Sequence, residues 1–284
     1  MTARRILVTT EFDGLSANAT QFAAGLPNQK GESEIILLNV IIPAKIQSWF
    51  TTTDASTFST HKVNFYNTEL LRKHQLLVNQ EAKRISADRV WIKPIVRFSD
   101  NKTDLKSIIK SLDAGLLVIG SRDKQSFLSQ IFNTETDQLI RDLDCPAIIL
   151  SNDSHSNPIR NIAVALDVKE ENHNGLEKIA EFAHSLQARM DLVYVETDGA
   201  IQSESTIEKI RHIASKHKLE NYTVNVVHSN RLETGLKRFI KSNHSDMVAV
   251  LTQGKGKIKK LIFGNSPKDI INESGIPVFI TAIK

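Results

Sequence analysis

The densest chemistry in the 284-residue sequence lies between Leu251 and Pro267. Gly254 and Gly256 flank Lys255, the lysines 257, 259 and 260 follow, and Gly264 precedes Asn265, Ser266 and Pro267. Glycines permit positive φ and let backbone N–H groups approach a phosphate closely, while the lysines add charge. Asn265 or Ser266 suits an N-cap and Pro267 the first turn of a helix, whose N-terminus offers unpaired N–H groups to anions. The spacing points to phosphate recognition, against the plainer reading of the lysines as a solvated face.

Other chemistries lack their residues. There is no Gly-x-x-x-x-Gly-Lys-Ser/Thr loop, the pair Gly254 and Gly256 lacks the third glycine of the dinucleotide fingerprint, and no Gly-x-Ser-x-Gly elbow occurs. Cys145, the single cysteine, stands before Pro146 at the entry to an apolar run, a structural rather than a nucleophilic position. One thiol also excludes an internal disulfide framework and fits a reducing cytosol. The nine histidines show no zinc spacing, and His212 and His217, on one expected helix, are expected to face solvent. Nothing marks a catalytic centre. A slow nucleotide hydrolase using Asp167 and a divalent metal ranks last, because no general base accompanies the carboxylate.

The elements around these residues are written twice. The run from Arg5 to Glu11 lies over that from Asn161 to Asp167, each an apolar strand ending in an acid. Val96, Leu105 and Ile109 lie over Val227, Leu236 and Ile240, and the run from Cys145 to Leu150 over that from Ile276 to Thr281. Apolar runs near 5–11, 34–41, 90–98, 115–120 and 146–151 are short and Ile/Val/Leu-rich without clean alternation, as in strands buried on both faces. Helical patterns occupy 63–86 and 103–112 between them. The second copy repeats the strands near 161–167, 190–196, 222–228, 246–251 and 277–282, with helices centred on 175–186, 205–217, 233–242 and 266–274. Strand and helix in regular alternation imply parallel strands with right-handed crossovers, an open α/β sheet covered by helices.

The expected domains are therefore 1–151 and 159–284, joined by the polar, turn-forming linker 152–158. So short a linker implies a packed pseudo-dimer, with further homodimerisation left open. The first copy is longer in 42–62, a Ser/Thr-rich stretch carrying Trp49, Phe50 and Phe58 that could serve as a lid or pack on its own domain.

A duplicated α/β unit, an acid closing the first strand, and a loop of Gly, nine residues and Gly before the last helix resemble the universal stress protein family in its tandem form. The resemblance covers essentially the whole chain. It implies two Rossmann-like domains of five parallel strands in the order 3-2-1-4-5, pairing through the last strand, and a stress-response role; the lone thiol is what points to a cytoplasmic location. In one subfamily it implies ATP binding through Gly, two residues, Gly, nine residues, Gly and Ser or Thr, together with the strand-one acid. On this resemblance the cofactor-binding residues are Asp167, Val195, Gly254, Lys255, Gly256, Gly264, Asn265 and Ser266, with ATP or another adenine nucleotide as ligand and Mg2+ as its companion. The pattern departs at Leu251, where a branched side chain replaces the first glycine. The first copy departs further: Gly120 remains, but Asp123 stands at the second glycine, Asn133 and Thr134 at the third and its follower, and Glu11 at the acid. A carboxylate at Asp123 repels phosphate. The alternative is an interaction scaffold with two decayed sites, filled by side chains that include Leu251.

Composition narrows the remaining classes. With 36 basic against 32 acidic residues the net charge is only +4, which together with the lack of aromatic interleaving in the lysine run argues against nucleic acid. The 40% hydrophobic and 24% charged content is that of a globular chain, and no apolar run reaches the roughly 18 residues of a membrane span.

Overall fold

A computed structural model describes residues 5–26, 34–41, 60–86, 90–99, 102–120, 145–150, 158–168, 173–197, 203–252 and 275–282. The first half contributes β1 (Arg5–Thr9), α1 (Gly14–Gly25), β2 (Glu34–Ile41), α2 (Thr60–Ile85), β3 (Ile92–Phe98), α3 (Lys102–Ser111), β4 (Leu116–Gly120) and β5 (Ala147–Leu150). The second contributes β6 (Asn161–Ala165), α4 (Leu176–Ser185), β7 (Arg189–Glu196), α5 (Ser203–Lys216), β8 (Tyr222–His228), α6 (Leu232–Ser242), β9 (Met247–Thr252) and β10 (Val278–Ala282).

All ten strands form one sheet in the order β3-β2-β1-β4-β5-β10-β9-β6-β7-β8. Each half thus has the 3-2-1-4-5 order, with every pairing inside a half parallel. The halves meet where β5 and β10 pair antiparallel, Ile149 opposite Val278 and Ala147 opposite Ile280, every one of these side chains buried. Isoleucine, valine and leucine dominate the inner strands because both faces are covered. One apolar layer joins α1, α2, α4 and α5 to the sheet; the other lies beneath α3 and α6. Both layers run unbroken across the seam, so the halves share their cores.

Helix α1 has no counterpart in the sequence expectation, and its composition explains why. Alanine, serine, threonine and asparagine fill it, leaving no apolar stripe of the usual width. Its start is set by Asp13, whose Oδ1 accepts from the Ser16 N–H at 2.8 Å, satisfying one of the unpaired donors of the first turn. The other expected helices among the described residues form within a few positions of their expected bounds. Several end on a left-handed residue other than glycine, with φ of 51° at Asp113, 55° at Gln187, 49° at Lys218 and 48° at His244. No described helix is long and apolar enough to cross a membrane. Trp49, Phe50 and Phe58 and the linker positions 152–157 lie outside the described residues.

Candidate functional site

Strand order reverses at β1 in the first half and at β6 in the second, and in open α/β sheets ligands occupy the crevice beyond the carboxyl ends at such a point. Because the seam is antiparallel, the two crevices open at opposite edges of the sheet. The register pairs Ala165 with Val250, so Asp167, just beyond β6, stands level with Thr252 at the end of β9. In the first half Val8 pairs with Val118, bringing Glu11 and Gly120 to the corresponding edge.

At the first-half edge the first turn of α1 lies close against the end of β4. A Cβ at Gly120 would stand 2.7 Å from the Leu15 carbonyl oxygen and 2.9 Å from its carbon, so this glycine is required by the close approach of the first turn of α1. Beside it lies a buried polar network. The Thr10 hydroxyl donates to Glu81 Oε2 at 2.7 Å and accepts from the Phe12 N–H at 3.0 Å. Asn39 Nδ2 donates to the Thr10 carbonyl at 2.8 Å, and its Oδ1 takes the Nδ1 proton of His74 at 2.7 Å. Phe12 sits in the left-handed region at φ 62°, rare for an aromatic residue, its ring edge-on to His74 at 5.5 Å. Glu81 is 8% exposed, and among the described residues its Oε1 has no hydrogen-bond partner. Burial pushes the Glu81 carboxyl up; Thr10 and Arg84 act against this and Asp13 adds to it. Burial and then Lys73 hold His74 below the ordinary imidazole value.

The second-half edge is built differently. Strand β6 ends at Ala165 and α4 begins only at Leu176, whereas β1 ends at Thr9 and α1 begins at Gly14. The longer connection carries His173, buried, whose Nε2–H donates to the Asp167 carbonyl at 3.0 Å. The His173 ring meets that of His217 edge-on at 6.3 Å, and His217 Nδ1 donates to Glu177 at the start of α4 at 2.6 Å. His217, expected to face solvent, has a side chain only 5% exposed because α5 closes against α4; His212 is exposed as expected. Asp167 itself is half-buried. Leu251, 3% exposed, lies in the same apolar layer as Leu166, Leu176 and Phe279. Val195 is buried beneath α6, where a Cβ at Gly235 would stand 2.5 Å from its Cγ1. Glu196 and His228, at the carboxyl ends of β7 and β8, pair at 3.1 Å.

Of the residues expected to hold a nucleotide, Asp167 and Val195 come to this edge; Gly254, Lys255, Gly256, Gly264, Asn265 and Ser266 lie outside the described residues, as do Asp123, Asn133 and Thr134. Sequence reasoning missed His173, Thr10, Asn39, His74 and Glu81. His74 and Glu81 share a face of α2, the one sequence signal that could have linked them. Cys145 is buried, and burial pushes its thiol up to about 11, which suits a structural role. A half-open cleft of about 560 Å³ lies at the other end of β7, between Glu181, Ala188, Met190 and Asn221, away from the crevice. Among the described residues no group of three or more His, Cys, Asp or Glu side chains is placed to hold a metal ion.

The family model for universal stress proteins matches residues 2–151 and again 158–282. The chain belongs to the universal stress protein family. A universal stress protein from Archaeoglobus fulgidus is similar in structure over 100% of this chain and 97% of its own, with a TM-score of 0.69 and 17% identity. A putative universal stress protein from Pseudomonas aeruginosa matches 99% of this chain and 94% of its own, with a TM-score of 0.55 and 13% identity. The cytoplasmic domain of a prokaryotic cation chloride cotransporter matches 97% of this chain and 94% of its own at a TM-score of 0.53 and 11% identity. Among curated proteins, none matches by sequence. The same paired domains thus occur in universal stress proteins and in a transporter domain, and the fold alone does not assign an activity.

Proposed function

We propose that this universal stress protein binds an adenine nucleotide, ATP foremost, at the carboxyl edge of β6 and β9, and acts by binding rather than turnover. The observation that supports the reading is the register of β6 on β9, which sets Asp167 level with the end of β9 at Thr252, at the point where strand order reverses. The glycines and lysines of that segment are suited to the phosphates, Asp167 to a ribose hydroxyl, and Mg2+ would accompany the phosphates. The first half is not proposed for this role, because Asp123 and Asn133 stand where the pattern has its second and third glycines.

Calorimetric titration of the full chain with ATP, with and without Mg2+, tests it. One nucleotide per chain is expected, with affinity falling at least about tenfold in Asp167→Ala, equivalent to about 1.4 kcal/mol. No heat at millimolar ATP sinks the reading. A second reading, an interaction scaffold whose crevices are filled from within, draws on the burial of Leu251 at 3% exposure, and it predicts a chain that neither retains nor takes up nucleotide.

A further inference from the structure

Among the described residues the sheet ends at β3 and at β8 with no further strand beside them, and the two edges differ. On β3 the register with β2, fixed by Ile35 N–H on the Trp91 carbonyl and Ser99 N–H on the Ile41 carbonyl, turns the peptide groups of Ile92, Pro94, Val96 and Phe98 outward. Pro94 has no N–H, and Lys93 and Arg97 add charge; these are the usual devices that keep an edge from pairing. On β8 the Met190 N–H bonds the Asn221 carbonyl and the Ser229 N–H bonds the Glu196 carbonyl. With β7 in parallel register, residues 223, 225 and 227 face inward, and the peptide groups of Tyr222, Val224 and Val226 face outward. No proline and no charged side chain lies between Tyr222 and Val227, and none of the strand's residues is fully buried.

We infer that β8 is a self-association edge, pairing antiparallel with β8 of a second copy across a two-fold axis at Val224. In that register Val224 exchanges both backbone bonds with its own copy, and Tyr222 exchanges them with Val226. The charges agree with it. Exposed Glu220, just before the strand, falls opposite position 228 of the other copy, where exposed Arg238 holds the His228 carbonyl through Nη2 at 2.6 Å while the His228 ring pairs with its own Glu196. The Glu220 carboxylate of each copy therefore meets the Arg238 guanidinium of the other. The seam between β5 and β10 shows that two such sheets can join edge to edge with helices on both faces.

Sedimentation of the full chain over a wide concentration range, with amide hydrogen exchange at each concentration, tests the inference. A monomer–dimer equilibrium is expected, with the Tyr222, Val224 and Val226 amides gaining protection as dimer forms while Thr223, Asn225 and Val227 stay protected throughout. Val224→Pro removes one outward N–H without touching the bonds to β7, and should weaken association at least about tenfold; Glu220→Lys should weaken it less. A chain that stays monomeric overturns the inference, as does a dimer unaffected by a folded Val224→Pro. Should that variant fail to fold, a wild-type dimer without concentration-dependent protection at the three amides overturns it equally. So does protection that appears only on mixing with a different protein.

Discussion

Position 120 in the first half and position 251 in the second occupy the same place in the repeat, at the end of the fourth strand beside the crevice. One is glycine because the first turn of α1 comes within touching distance of its backbone; the other is leucine because the longer connection after β6 delays α4 to Leu176. The same fold therefore sets a helix against the strand end in one half and a buried side chain there in the other, and the residue type follows the length of a neighbouring loop. What differs at the mouth is electrostatic. The first half gathers Thr10, Asn39, His74 and Glu81 into a network in which one carboxylate oxygen has no hydrogen-bond partner among the described residues, whereas the second fastens the Asp167 main chain to His173.

Substitutions at the paired positions break the comparison most directly. Leu251→Ala should cost about 3 kcal/mol in urea unfolding, through lost burial and the cavity left behind. A cost under about 1 kcal/mol would show that the side chain is not part of the core. Gly120→Ala should cost about 2 kcal/mol, because backbone rather than a flexible side-chain tip must give way; the same substitution made with α1 displaced would be nearly neutral. The smallest effect separates the networks by pH. With its folded value raised, Glu81 contributes most below its ordinary value of 4.5, and that contribution is lost as pH rises through the raised value. Glu81→Gln cannot ionise, so its stability relative to wild type should improve as pH rises above 4.5, read from thermal midpoints at each pH. His74 works in the opposite sense: with its folded value lowered from 6.5, stability falls as pH drops below 6.5, and that acid-side loss should persist in Glu81→Gln.

The strands were legible because buried parallel strands advertise themselves as short β-branched runs; their 3-2-1-4-5 order was implied only by the resemblance to the family. Helix α1 was not legible, since its small residues carry no stripe and its one strong signal is the cap at Asp13. Asp167 could be found by its position after an apolar run. The contact of Thr10 with Glu81, and of His173 with the Asp167 carbonyl, could not: each depends on how a helix or loop returns to the sheet, which no local spacing encodes. The burial of His217 was misjudged for the same reason. The polar face of α5 looks solvated until α4 is laid against it and Glu177 supplies the partner.

The antiparallel meeting of β5 and β10 has an evolutionary consequence. In a symmetric pair of identical chains every substitution is made twice, so a change that suits one crevice is imposed on the other. Fusing the two copies into one chain keeps the shared sheet and removes that constraint. In such a homodimer Gly120 and Leu251 would have to be the same residue, and neither edge could have taken its present form without spoiling its twin.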